Sequence, residues 1–268
     1  MKKYSTYTYP LVFAFLCLLT ACEKVIDIKV NDDTGKLVIE GQINNTTAQQ
    51  EFKLSRNVSF SSGNNYPAVT GATIIVHDDA KNEYVFRESV NKAGTYIAKD
   101  FTGIPGRTYN MEVRVDDQKY VAQSQMPQVV LLDSIITEKP QFGEKDTRNI
   151  KVYYKDPADQ ENQYRFIVFV NDKQTKDILI ADDDFNNGNQ VSLTIYLNSD
   201  DDLKLYPGDK IRVEMQCIDK AMHKYWYSLM QQSGGGGITP SNPPTNISPT
   251  VLGYFSAFTT STKNTVVN

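Results

Sequence analysis

Cysteine is scarce in this chain of 268 residues: Cys17, Cys22 and Cys217 are the only three. Two of them lie in the first 22 residues, so no disulfide framework is available to the body. Histidine is scarcer still. His77 and His223 are too far apart to form a metal-ligand spacing, and no Gly-x-Ser-x-Gly elbow supports a serine triad around either. Phosphate-binding glycine patterns are absent too; the run Gly234–Gly237 is not followed by Lys-Ser/Thr entering a helix. No basic cluster occurs. Lys plus Arg number 28 against 32 acids, for a net charge of −4, which argues against nucleic acid and against electrostatic docking on anionic lipid. These absences lead us to expect no catalytic residues, no metal and no cofactor.

What is present begins with a leader. Lys2 and Lys3 precede an uncharged apolar run, Leu11–Leu19, which is shorter than the roughly 20 residues a membrane-spanning helix needs. Leu19-Thr20-Ala21-Cys22 then reads as a bacterial lipobox. Residues 1–21 are the expected signal peptide, cleaved between Ala21 and Cys22, with Cys22 as the lipid attachment site. Each buried methylene of an acyl chain contributes about 0.8 kcal/mol, so a diacylglyceryl group plus an amide-linked chain anchors firmly. Membrane contact is therefore expected through lipid.

Residues 22–35 form the expected tether. Beyond it, short alternating runs are separated by turn residues. They include Leu37–Ile43, Ala72–His77, Thr108–Val115 and Lys119–Ser124 in residues 36–126. Residues 127–268 continue with Val129–Ile136, Ile150–Tyr154, Tyr164–Val170, Val191–Leu197, Lys210–Ile218 and Val251–Phe258. Strands at this spacing without intervening long helices predict a mostly β protein. We expect an immunoglobulin-like or fibronectin-type-III-like sandwich over 36–126, and a second β-rich domain over 127–268 with one short helix. Ile104-Pro-Gly-Arg-Thr-Tyr109 leads into a strand as a tyrosine corner does, giving Tyr109 a structural role. Lys220–Gln232 is the expected helix, with Asp219 as its cap and Met222, Tyr225, Trp226 and Leu229 on one packing stripe. Cys217 shares a strand face with Ile211, Val213 and Met215, as a small core residue. A mobile Gly/Pro loop is expected over 233–250, because glycine loses much backbone entropy on ordering. Both a binding lid and a tolerated surface insertion fit it.

Two acidic clusters stand out. Asp182-Asp-Asp-Phe-Asn-Asn-Gly188 offers oxygens like the first half of a calcium loop, but its glycine comes one place late and no glutamate closes it. A solvated turn is the favoured reading there and calcium the alternative. Asp200–Asp202 reads as a solvated turn.

Several pieces in order carry a resemblance: Cys22–Ile28, Leu37–Gly41, Val69–Ile75, Pro105–Tyr109, Asp156-Pro-Ala, Asn162–Phe166, Tyr225–Leu229, Asn242–Ile247 and Leu252–Phe255. Together the chain resembles a Bacteroidota outer-membrane lipoprotein family of unknown function, often encoded beside TonB-dependent receptors. The resemblance implies an outer-membrane location on the periplasmic or cell-surface face and a role accessory to TonB-dependent uptake. Glu23 and Asp27 flanking Lys24 partly match a surface-export signal of that group, and Asp133-Ser134-Ile135 resembles an O-glycosylation acceptor. The resulting expectation is a non-enzymatic accessory binding or scaffolding lipoprotein, with the 182–190 and 233–250 loops as contact surfaces. The alternative is a structural or adhesive surface lipoprotein without a small ligand.

Overall fold

Period-two alternation sets the first elements of the structure, a computed structural model that describes residues 34–59, 63, 65–140, 147–197, 204–233 and 242–268. In β1 (Leu37–Asn44), Leu37, Ile39 and Ile43 are buried while Val38, Glu40 and Gln42 are half-buried. There follow β2 (Gln49–Arg56), β3 (Thr73–Asp78), β4 (Glu83–Ser89), β5 (Lys92–Lys99), β6 (Thr108–Val115) and β7 (Gln118–Gln125). Strand β4 changes partners along its length. Glu83–Phe86 pair with β3, whereas Arg87–Ser89 pair with β5 through a register shift at Glu88/Ser89. Such an irregularity lets one sheet turn over and face itself. Ile39, Ile43, Phe52 and Leu54 thereby join Ile74, Val76, Met111 and Val113 in one core. The fully buried Phe52 ring lies 4.6 Å from Phe86, edge-on, and 5.8 Å from Phe255, stacked.

The corner before β6 has the expected bond. Tyr109 is fully buried, and its phenol oxygen accepts the backbone N–H of Ile104 at 2.8 Å.

The second sandwich uses β8 (Leu132–Glu138), β9 (Asn149–Lys155), β10 (Gln163–Val170), β11 (Lys173–Gln174), β12 (Leu179–Asp182), β13 (Gln190–Ile195) and β14 (Lys210–Ile218). A small sheet runs β13-β9-β8; β10, β11, β12 and β14 belong to the large one. Val152 and Tyr154 pack with Phe166, Val168, Val213 and Met215. Cys217 is buried in this core, and burial pushes its thiol pKa up, as for an unreactive core residue.

Helix α1 (Lys220–Ser233), β15 (Ile247–Ser248) and β16 (Leu252–Val266) complete the chain. Strand β16 serves both sandwiches. Leu252–Phe258 run parallel to β1, and Thr259–Val266 run antiparallel to β14. The first core accordingly takes in Ile247, Phe255 and Ala257, and the second takes in Val267. At the seam Gly253 has φ +99°, and a Cβ there would meet the Ile39 carbonyl oxygen at 2.0 Å, so only glycine fits. Residues Thr34–Asn268 cluster as one unit. The mostly β expectation holds, with strands β12 and β15 and the second half of β16 added to it. Among the described residues no helix is long and apolar enough to cross a membrane.

Candidate functional site

The strand ends bring polar groups of both sandwiches to one junction. Ser124, next to last in β7, is buried. Its hydroxyl donates to Asp219 Oδ2 at 2.5 Å and accepts the Ala257 N–H at 2.9 Å. The other Asp219 oxygen accepts the Met222 N–H at 2.9 Å and caps α1, as the sequence indicates. Burial drives the Asp219 carboxyl above the usual range, while the Ser124 hydroxyl and the helix N–H groups hold it back. One serine and one aspartate thus fasten β7 to α1 and to β16.

Beside this clamp lies a cleft of about 330 Å³, lined by residues 125–128, 160–163 and 218–220 together with Gly106. Gln125, Gln128, Gln160, Asn162 and Gln163 put five carboxamides on its lining, with Met126, Pro127 and Ile218 as apolar surface. Glu161 is engaged by Lys220 Nζ at 2.7 Å and by Gln163 Nε2 at 3.2 Å. The side chains of Gln125, Gln128 and Gln160 are exposed. A carboxamide offers donors and an acceptor without charge, so this lining suits a neutral ligand rich in hydroxyl or amide groups. Sequence reasoning missed the cleft. Its three segments are far apart in the chain, and each alone reads as an ordinary connection.

The acidic turn at 182–188 uses its oxygens on its own chain. Asp183 is buried; its Oδ2 accepts the Asn162 N–H at 2.9 Å, and its carbonyl accepts the Asn186 and Asn187 N–H groups at 2.8 and 3.0 Å. Buried Asp156 accepts the Gly188 N–H at 3.2 Å and the Tyr164 hydroxyl. Burial and this neighbouring carboxylate push the Tyr164 pKa far up. Asp182 and Asp184 remain toward the surface, Asp182 lying 3.9 Å from His223 Nε2. Burial lowers the His223 pKa, against the opposing pull of both acids. Among the described residues no three of His, Cys, Asp and Glu gather as a metal-ligating group. Phe185, at the tip, is 93% exposed.

The stripe on α1 is a packing surface. Met222 is fully buried, and Tyr225 and Trp226 pack on Tyr254 at centroid distances of 4.9 and 5.3 Å. The Arg165 guanidinium sits 3.5 Å over the Trp226 ring. His77 lies in β3, remote in the chain from His223 on α1. Ser134 is exposed on β8, at a register shift between Leu132 and Ser134. Within 233–250, Asn246 is tied to Phe255 by two side-chain bonds of 2.7 and 3.0 Å, and Ile247–Ser248 pair with β7. Ala21, Cys22, Glu23, Lys24, Asp27, Asp200–Asp202 and Gly234–Gly237 lie outside the described residues.

A comparison with curated proteins finds no match. Among solved structures, the Yersinia pseudotuberculosis adhesin InvE shares 16% identity over 68% of this chain and 57% of that one, with a TM-score of 0.22. The Group B Streptococcus pullulanase SAP shares 12% identity over 67% of this chain and 22% of that one, with a TM-score of 0.19. The chain thus spans less than two thirds of either protein, and overlap at these scores carries no argument about function. The family described as a domain of unknown function, DUF4249, matches residues 23–264, and the chain belongs to it.

Proposed function

We propose that this DUF4249 protein is a lipid-anchored, non-enzymatic binding or scaffolding component of the outer membrane, accessory to TonB-dependent nutrient uptake. The carboxamide-lined junction cleft is its ligand contact. The observation that carries this reading is how the polar groups are distributed. The buried acids Asp156, Asp183 and Asp219 are each engaged in holding backbone or hydroxyl groups, whereas exposed Gln125, Gln128 and Gln160 offer uncharged donors and acceptors at a cleft. Neutral amides bind and orient a ligand; they are poor acids, bases and nucleophiles at neutral pH. The Leu19–Cys22 lipobox supports the anchor, and the ordered motifs of the sequence support the link to TonB-dependent receptors.

The test is recovery of a TonB-dependent receptor with the wild-type protein from solubilised outer membranes, alongside growth on single nutrients. Recovery, together with a growth defect in a Gln128→Ala/Gln160→Ala variant, supports the reading. Loss of surface attachment without a defect on any nutrient favours a structural or adhesive role. A Cys22→Ala protein that stays in the membrane fraction removes the lipid anchor from the proposal.

A further inference from the structure

We propose that copies of this chain associate head to tail, Phe185 of one copy seating in a cavity at the opposite end of β10 in the next. A fully exposed phenylalanine on a loose loop would need no explanation. Phe185 is on a stiff one. The Asp183 carboxylate and carbonyl, together with Asp156, hold residues 183–188 against the second sandwich through the bonds already described. A projecting aromatic on a preorganised turn loses little entropy when it docks, which is the character of an interface anchor. Asp184 precedes it directly and Asp182 lies three residues before it, so its complement is a recess that offers apolar surface with cations at its edge.

Such a recess exists on the same chain. A cavity of about 360 Å³ is lined by Phe169 and Val266 as apolar groups, with Lys210 and Arg212 as cations, Asp172 as an opposing acid and Asn264 and Thr265 as neutral polar groups; Ile211, beneath it, is buried in the second core. The Arg212 guanidinium lies 3.5 Å over the Phe169 ring and covers it, so a docking aromatic meets the outer face of that held cation beside Val266. Anchor and recess cannot meet within one copy. Asp182 pairs with Gln163 at the start of β10, and Phe169 lies six residues on, about 20 Å away at the rise of a strand. Their union is therefore a heterologous contact, which builds a ring or a row. The acids beside Phe185 disfavour the other apolar destination, a lipid bilayer. A contact centred on one side chain is small, so the association is weak in dilute solution.

The experiment is sedimentation velocity of the full chain carrying Cys22→Ala, over rising concentration. The expected result is a mass average that climbs with concentration. Phe185→Ala should weaken association by about tenfold or more. Arg212→Glu should weaken it too, and adding Asp184→Arg to Arg212→Glu should restore part of it. Because Phe185 and Arg212 lie toward solvent, these variants keep the fold, which circular dichroism checks. A chain that stays monomeric throughout overturns the proposal. So does association that survives Phe185→Ala, or that ignores the charge at 212. Phe185-dependent binding of the monomer to phosphatidylglycerol vesicles would assign the anchor to lipid instead.

Discussion

Each sandwich buries aspartates, and the two do so in different ways. In the first, Asp78 holds a local turn. It accepts from the backbone of Ala80 and Asn82, from the Asn82 amide at 2.8 Å and from the Tyr84 hydroxyl at 3.1 Å, all within six residues. In the second, Asp156 and Asp183 hold segments far apart in sequence: Gly188 is 32 residues from Asp156, and Asn162 is 21 from Asp183. A local turn can reform most of its bonds whenever the strands on each side are paired. A long-range tie closes a loop whose entropy opposes it. The buried acid of the first sandwich therefore holds a local turn and those of the second tie distant segments; the first draws its long-range polar ties from uncharged side chains, Gln50 to the Phe101 carbonyl and Tyr96 to the Val69 carbonyl, each at 2.9 Å.

Four measurements bear on that contrast. Phe52→Ala empties the centre of the first core and should lower unfolding stability by about 3–5 kcal/mol in urea titrations. Asp156→Ala leaves the Tyr164 hydroxyl and the Gly188 N–H without their partner and should cost about 3 kcal/mol. A cost near that of Asp78→Ala would erase the distinction between local and long-range acids. Tyr109→Phe strips the acceptor from the Ile104 N–H and should cost about 1 kcal/mol, with secondary structure by circular dichroism unchanged. The smallest effects lie in the pH profile. Burial pushes Asp78 up, but bonds from Asn82 and Tyr84 and the charge of Arg107 outweigh it, so its pKa falls below the ordinary 3.8. Its contribution is present above 3.8 and is lost as pH falls through the folded value. Asp219 is raised by burial, so its contribution is complete below 3.8 and is lost as pH rises through the folded value. Asp78→Asn and Asp219→Asn should therefore tilt stability against pH in opposite senses. Tilts of the same sign would mean that one of the two environments is misassigned.

Sequence patterning reached as far as local physics does. Strands β6 and β14 match their alternating runs end to end, because each buries one face along its full length. The Tyr109 corner and the Asp219 cap were legible because their partners lie within a few residues. Strand β16 was legible only as far as Phe258. Its continuation, Thr259–Val266, is mostly polar, and it is strand because β14 is there to pair with it. At 182–184 the sequence gives three identical side chains in a row. Which one turns inward depends on where Asn162 arrives, and no local pattern carries that. The junction cleft was hidden for the same reason, since three turns become one surface only after β16 has joined the sandwiches.

The parallel pairing of β1 and β16 also determines how the molecule bears tension. Strand β1 starts at Leu37, and β16 starts beside it and runs on to Val266 in the same direction. A pull between Thr34 and Asn268 draws the two strands past each other along their length. Their evenly spaced hydrogen bonds then load together rather than open one after another. Resistance to such a pull is a shear strength set by the whole seam, from Val38 beside Leu252 to Asn44 beside Phe258.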